Sequence, residues 1–329
     1  MPTPLKAGEV LRERYKIQRI IGQGGMGSIY LADDLRLEGR LCALKEVEHD
    51  SSLPEDMLQQ AREQFLREAT VLARLDHPNL PKVSDFFSEE ERDYLVMDFV
   101  PGKDLRTLMT ESRHKNGFLS QQEVLSWAAQ LADALSYMHA QEPPILHRDI
   151  KPSNLKLTPS GLIKLVDFGL VKILASEEMT ITVLQGRGTA LYTPLEQYGG
   201  DTGHTDARSD IYAFAGTLYH LLTNHPPVEA RERFLHPGSL IPPRQLNPQI
   251  SARSERAILW AMNLHPDDRP QDVESFRQAL IGDLNPVPQQ RRTMPVSPSM
   301  ALVFSRTEWI LAGIVVAVLI ISLLSTLNP

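Results

Sequence analysis

The sequence predicts an α+β fold of bilobal form, a small β-rich lobe followed by a larger helical lobe, with one membrane-spanning helix near its C-terminal end. Three observations lead there. Residue texture changes near position 100, from β-branched alternation to helical periodicity. The stretch 15–281 carries no internal repeat of the length that marks solenoids or propellers. Positions 309–327 are 19 consecutive residues without a charge. At about 1.5 Å per residue such a run makes a helix about 28 Å long, close to the hydrocarbon core of a bilayer.

Composition bounds the rest. The 329 residues are 42% apolar and 23% charged, the balance of a chain that folds rather than stays disordered. Thirty-four Lys and Arg against 41 Asp and Glu leave a formal charge of −7, so no nucleic-acid partner is expected. Cys42 is the only cysteine, which excludes an internal disulfide framework and any site of paired thiolates.

Taken in order, residues 1–14 read as an N-terminal extension without the apolar run of a cleavable signal peptide. The runs 15–21 and 28–32 are β-rich and flank a glycine loop; 40–47 and 94–99 are β-rich as well. Between them Phe65, Ala69, Leu72 and Leu75 recur at helical spacing, and the pattern stops at His77-Pro78. Ser120 and Glu123 have capping-box spacing ahead of Leu125, Ala128, Ala132, Leu135 and Met138, a helix expected to end near Pro143-Pro144. Residues 210–222 are apolar on nearly every face, as in a central buried helix. The segment 282–308 holds Pro286, Pro288, Pro295 and Pro298 among polar residues and reads as a juxtamembrane linker. Arg291, Arg292 and Arg306 precede the apolar run and no charge follows it, so the folded part is expected on the cytoplasmic side of a cell membrane crossed once. Gly313 and Ala317 have the small-xxx-small spacing that can bring two spanning helices together, a route to a homodimer.

Chemistry concentrates in three places. Gly22-Gln23-Gly24-Gly25-Met26-Gly27 fits G-x-G-x-x-G, which marks dinucleotide folds, nucleotide lids and plain turns alike. Because 28–32 is β-branched and does not open a helix, a hairpin over a nucleotide is favoured over a dinucleotide-binding oxidoreductase. Lys45, set among apolar residues on a strand, is aimed inward and needs a counter-charge; Glu68 on the following helix is the candidate, with Glu63 on the solvent side. In the third place, His147-Arg148-Asp149-Ile150-Lys151-Pro152-Ser153-Asn154 is followed by Asp167-Phe168-Gly169. Two carboxylates 18 residues apart, with an amide and a lysine close by, suit phosphoryl transfer from a Mg²⁺-bound nucleotide: one acid orients the attacking hydroxyl while the other helps hold the ion.

On these motifs the chain resembles the eukaryotic-type protein kinases, and most of all the bacterial membrane-anchored serine/threonine kinases. The resemblance implies a protein-kinase-like fold over 15–281, with an N-lobe at 15–97, a hinge at 98–102 and a C-lobe at 103–281. It implies ATP and Mg²⁺ as cofactors and proteins carrying Ser or Thr as substrates. Gly22, Gly24 and Gly27 would then cover the phosphates. Ile21, Ile29 and Ala43 would line the adenine site, Met97 would be its gatekeeper, and Asp98, Phe99 and Val100 its hinge. Lys45, paired to Glu68, would hold the α- and β-phosphates. Asp149 would orient the hydroxyl, Lys151 would neutralise the transferring group, and Asn154 and Asp167 would bind Mg²⁺. Arg148 would dock an activation loop phosphorylated at Thr180 or Thr182, with Lys172 as helper, and Thr189 would contact the catalytic pair. Asp210 would brace the catalytic loop, and Arg269 would pair with Glu196.

The sequence departs from the family pattern twice. Pro194-Leu195-Glu196 replaces Ala-Pro-Glu, which bears on the substrate loop, and Lys156 stands where an apolar side chain usually lies under adenine. A membrane-bound pseudokinase scaffold is the alternative class; it is expected to lack Lys45, Asp149 or Asp167, and this chain has all three.

Overall fold

The structure, a computed structural model, describes residues 4–24, 27–47, 54–89, 92–167, 190–198 and 205–282. Gly25, Met26, Phe168, Gly169, Lys172, Thr180, Thr182, Thr189, most of the linker and the apolar run 309–327 lie outside the described residues. No helix among the described residues is long and apolar enough to cross a membrane.

The small lobe is a six-stranded antiparallel sheet built from β1 (Val10–Leu11), β2 (Tyr15–Gly24), β3 (Gly27–Asp34), β4 (Leu41–Val47), β5 (Val83–Glu89) and β6 (Arg92–Asp98), in the order β1-β2-β3-β4-β6-β5. Alternation sorts its side chains onto two faces. Tyr30, Ala32, Cys42, Leu44, Tyr94 and Val96 form an outer core with Tyr15, Ile17 and Phe87. On the other face, register sets Ile29 opposite Lys45 and Lys45 opposite Leu95, with Ala43 opposite Met97. That inner face joins α1 (Glu55–Ala73) and the main core through Phe65, Ala69 and Leu72. β1 lies within 1–14 and pairs with β2, burying Leu11. Arg14 donates to both carboxylate oxygens of the buried Asp34 at 2.8 Å, tying this segment to β3.

The chain leaves β6 through Val100 and enters a three-stranded sheet of β7 (Lys103–Asp104), β8 (Leu155–Leu157) and β9 (Ile163–Leu165). Gly102 is required at the crossing. Its φ is +108°, and a Cβ there would lie 2.0 Å from the Leu157 carbonyl oxygen.

The larger lobe is helical: α2 (Leu105–His114), α3 (Gln121–His139), α4 (Ala207–Thr223), α5 (Ala230–Leu235), α6 (Pro243–Leu246), α7 (Ala252–Ala261) and α8 (Val273–Leu280). Ser120 is the N-cap of α3, but its side chain makes no capping hydrogen bond, so the expected reciprocal box does not form. The same helix ends at His139, four residues before Pro143. α4 is buried over nearly its whole length and forms the axis of the lobe, with Phe214 meeting Phe276 of α8 edge to face. Asp206 caps it at one end, and Asn224 closes the other in the left-handed conformation at φ 58°.

Candidate active site

The glycine loop joins β2 to β3, whose last register pairs are Gly22 with Ile29 and Gly24 with Gly27. Gly27 has φ +127°, and a Cβ would fall 2.3 Å from the Glu46 carbonyl oxygen, so only glycine lets the loop lie this close to β4. Ile29, Ala43, Lys45 and Met97 follow on the inner face, with Ile21 packed beside them against the main core. Val100 is buried just beyond, while the side chain of Asp98 is open to solvent and meets Arg40 at 3.5 Å. Glu68 is buried on the α1 face that carries Phe65, Ala69 and Leu72; Glu63, on the outer face, pairs with Arg67.

Opposite this face stands the loop 147–154. Asp149 accepts from Lys151 Nζ at 2.9 Å and, at 3.1 Å, from the side-chain amide of Asn154. The same Asn154 nitrogen reaches the Asp149 carbonyl at 2.8 Å. The Asn154 carbonyl accepts from Val166 N at 2.8 Å, which delivers the next residue, Asp167, to the same place. There the Asp167 carboxylate accepts from Lys45 Nζ. One bonded chain therefore joins Lys45, Asp167, Asn154, Asp149 and Lys151, four of them from the large lobe and one from the small.

Two non-glycine residues here lie in the left-handed region, Arg148 at φ 63° and Asp167 at φ 65°, each costing about 1–3 kcal/mol. Asp210 compensates at the first. Fully buried on α4, it accepts from the backbone N–H of His147 at 2.9 Å and of Arg148 at 2.8 Å, and meets His139 Nε2 at 2.9 Å. Burial alone would raise its pKa; the His139 contact and the other donors outweigh that and hold it below the usual carboxylate range. His147, fully enclosed, is pushed the other way by burial and is held neutral.

The substrate-side segment is pinned to α4 as well. Glu196 accepts two bonds from Arg269, at 2.6 and 3.0 Å, and one from Ser209 at 2.8 Å. Arg269 is 2% exposed, and donates besides to the carbonyls of Asn263, Leu264 and Arg208. Every donor of this buried fork is matched, which offsets its loss of water.

Sequence reasoning missed two parts of the support. Asn79 follows the His77-Pro78 helix stop; its side chain donates to the Ile163 carbonyl at 2.7 Å and its carbonyl accepts from Leu165 N at 2.8 Å, so it anchors β9. Tyr192 Oη meets His220 Nδ1 at 2.6 Å. Neither contact has a local sequence signal, because the partners are 84 and 28 residues apart.

The protein kinase domain family matches residues 15–294, and the chain belongs to the eukaryotic-type protein kinase family. A probable serine/threonine-protein kinase of Clostridium acetobutylicum is 34% identical over 279 residues, covering 83% of this chain and 40% of its own length. The serine/threonine-protein kinase PknB of Mycobacterium leprae is 33% identical over 281 residues, 82% of this chain and 43% of its own. The chain thus spans less than half the length of these relatives. Among solved structures, the apo form of PpkA-294 superposes with TM-score 0.68 at 29% identity, covering 84% of this chain and 99% of that one. The PknI kinase domain of Mycobacterium tuberculosis superposes with TM-score 0.63 at 31% identity, covering 84% and 98%.

Proposed function

We propose that this chain is an active serine/threonine-protein kinase, transferring the γ-phosphoryl group of ATP to Ser or Thr hydroxyls of protein substrates. The observation that carries the reading is the convergence of Lys45, Asp149, Lys151, Asn154 and Asp167 in one bonded group between the lobes. Asp149 accepts a hydrogen bond from the substrate hydroxyl and orients its oxygen toward the γ-phosphorus. The new O–P bond forms as the bond to the β–γ bridging oxygen breaks; ADP leaves, and the hydroxyl proton passes by way of Asp149. Lys151 balances charge on the phosphoryl oxygens, and Lys45, with Glu68 as counter-charge, holds the α- and β-phosphates. The glycine loop covers the phosphates, Ile21, Ile29, Ala43 and Met97 line the base, and the backbone of Asp98–Val100 bonds its edge. Lys-Pro-Ser-Asn after Asp149 supports Ser/Thr rather than Tyr as acceptor.

Asp167 and Asn154 suit Mg²⁺. Both offer hard oxygens, and the Asn154 nitrogen is committed to Asp149, so the amide oxygen, which meets the Ser153 hydroxyl at 3.4 Å, is the end that would serve as a ligand. When bound, the ion would neutralise phosphate charge.

Arg148 is assigned to docking a phosphorylated activation loop, with Thr180 and Thr182 as acceptors and Thr189 at the catalytic pair. The uncharged run 309–327 is assigned as a single membrane anchor, with the catalytic region cytoplasmic and Gly313 and Ala317 as a possible dimer contact.

The test is phosphate incorporation into a generic basic protein by wild type, Asp149→Asn and Lys45→Met. Wild type alone should label it; equal background labelling by all three would end the reading. Thr180→Ala with Thr182→Ala should slow turnover, and unchanged rates would remove the loop switch. A chain cut before Pro288 should leave the membrane pellet; one that stays there would contradict the anchor.

A further inference from the structure

We propose that Arg106 and Arg113 on α2 form, beside Tyr192, a subsite that takes an acidic residue flanking the phosphorylated Ser or Thr of the substrate. This rests on the kinase reading above and names the substrate class of the same site.

The position follows from α4, which holds the catalytic loop and the substrate-side segment on one rod. The Thr217 hydroxyl donates to the carbonyl of Ile150, next to Asp149, at 3.3 Å. Three residues further along, about 4.5 Å of helix, His220 meets the Tyr192 hydroxyl at 2.6 Å, with the two rings stacked at 6.1 Å. Tyr192 therefore stands within a few residues of extended peptide from the acceptor oxygen, at about 3.3 Å per residue.

α2 brings the charge to this end. It packs against α4 and buries Leu105 and Met109, and Asn224, the cap of α4, donates to the carbonyl of Gly117 just past α2 at 3.0 Å. Arg106 and Arg113 are seven residues apart, about two turns, and so share one face. Both are exposed, and neither forms an ion pair among the described residues. The acids of α2 and its cap are engaged elsewhere. Asp104 accepts from Thr107 N at 2.8 Å and from Thr107 Oγ1 at 3.0 Å, while Glu111 pairs with Lys103 at 2.6 Å.

The neighbouring groups register that excess of positive charge. Burial, then Arg106 and Arg113, then His225, push His220 down to about 4, so it holds Tyr192 as a neutral ring and adds no charge of its own. A carboxylate or phosphate on the substrate meets two cations that no acid among the described residues pairs with, whereas a lysine there is repelled.

The experiment uses the detergent-solubilised full chain and three single-Ser peptides alike except for their flanks, which are Glu, Gln or Lys on both sides. At low salt the Glu peptide should show a KM about tenfold below that of the Gln peptide, with similar kcat, and the advantage should shrink toward about 1 M salt. Arg106→Glu with Arg113→Glu should shift the ranking toward the Lys peptide, whereas Arg106→Lys with Arg113→Lys should keep the wild-type ranking. Equal KM values for all three peptides, in a wild type whose turnover Asp149→Asn abolishes, would overturn the subsite and leave the kinase reading standing. Turnover no higher than that of Asp149→Asn on every peptide would remove both.

Discussion

Asn154 uses its two ends differently. The nitrogen bonds the carbonyl and carboxylate of Asp149, while the main-chain oxygen holds Val166 and with it Asp167. Asn154→Ala removes the side-chain hold on Asp149 and the amide oxygen assigned to the ion, while the main-chain bond to Val166 stays. Its kcat should fall about a hundredfold or more, with peptide KM little changed and more Mg²⁺ needed for half-maximal rate. Initial rates against Mg²⁺ concentration would check this, and a kcat within about twofold of wild type would contradict it. Lys156 is a second residue with a readable consequence. It lies opposite Asp104 in the β7–β8 pairing, and its ammonium sits 5.6 Å from the Phe99 ring centre at the hinge. Burial lowers its pKa against the pull of Asp104, so the ammonium is already short of water before a base covers it. Lys156→Met relieves that strain on the bound state. KM for ATP should drop about threefold with kcat unchanged, and a rise in KM would show instead that the cation grips the nucleotide.

Elements matter here as carriers. α4 holds the catalytic loop through Asp210, the segment 190–198 through the bond of Ser209 to Glu196, and Tyr192 of that segment through His220. Asp210→Asn keeps the size but replaces one acceptor oxygen with a donor facing N–H groups. Stability should fall by about 2–4 kcal/mol and kcat by about tenfold or more, read from urea midpoints and initial rates. Loss of stability with an intact kcat would mean that the brace serves folding alone. How much of this was legible in the sequence depended on whether the signal is local. Strands β2, β3, β4 and β6 announce themselves as β-rich runs, α1 and α3 by apolar periodicity, and α4 by being apolar on nearly every face. β5 (Val83–Glu89) escapes notice because Ser84, Asp85 and Ser88 break its apolar run, and β7, β8 and β9 are two or three residues long and exist only through pairing. In the site, Asp149, Asn154 and Asp167 stand out by spacing, since the chemistry constrains them along the chain. Asn79, His139 and His220 do not, because each acts on a partner distant in sequence that folding alone brings near.

At the scale of the whole molecule, buried titratable groups set how stability varies with pH. His220 lies at about 4 in the fold against an ordinary value of 6.5, and burial lowers His77 and His147 in the same direction. Between those two values the unfolded chain binds a proton at His220 that the folded chain refuses, so acidification through the window favours unfolding. The carboxylates act further down. The Arg14 bonds hold Asp34 below its ordinary pKa; at Glu196, Asp206 and Asp210 burial pushes upward, but Arg269, Arg208 and His139 respectively prevail. Their stabilisation is complete above the unfolded carboxylate value and disappears as pH falls through the lower folded values. Stability should therefore be flat from pH 6.5 up to the alkaline range where the unfolded chain gives up protons that buried Cys42 and Tyr192 keep in the fold. On the acid side it should decline from pH 6.5 toward about 4 as the histidines titrate, and drop further below that as the carboxylates protonate. His220→Gln separates the first limb from the second. Glutamine can still bond the Tyr192 hydroxyl but takes up no proton. The variant should lose less of its urea midpoint than wild type between pH 6.5 and about 4, while the steep loss below that range stays. Parallel curves for the two proteins across the upper window would mean that His220 accepts its proton without disturbing the contact that holds Tyr192 to α4.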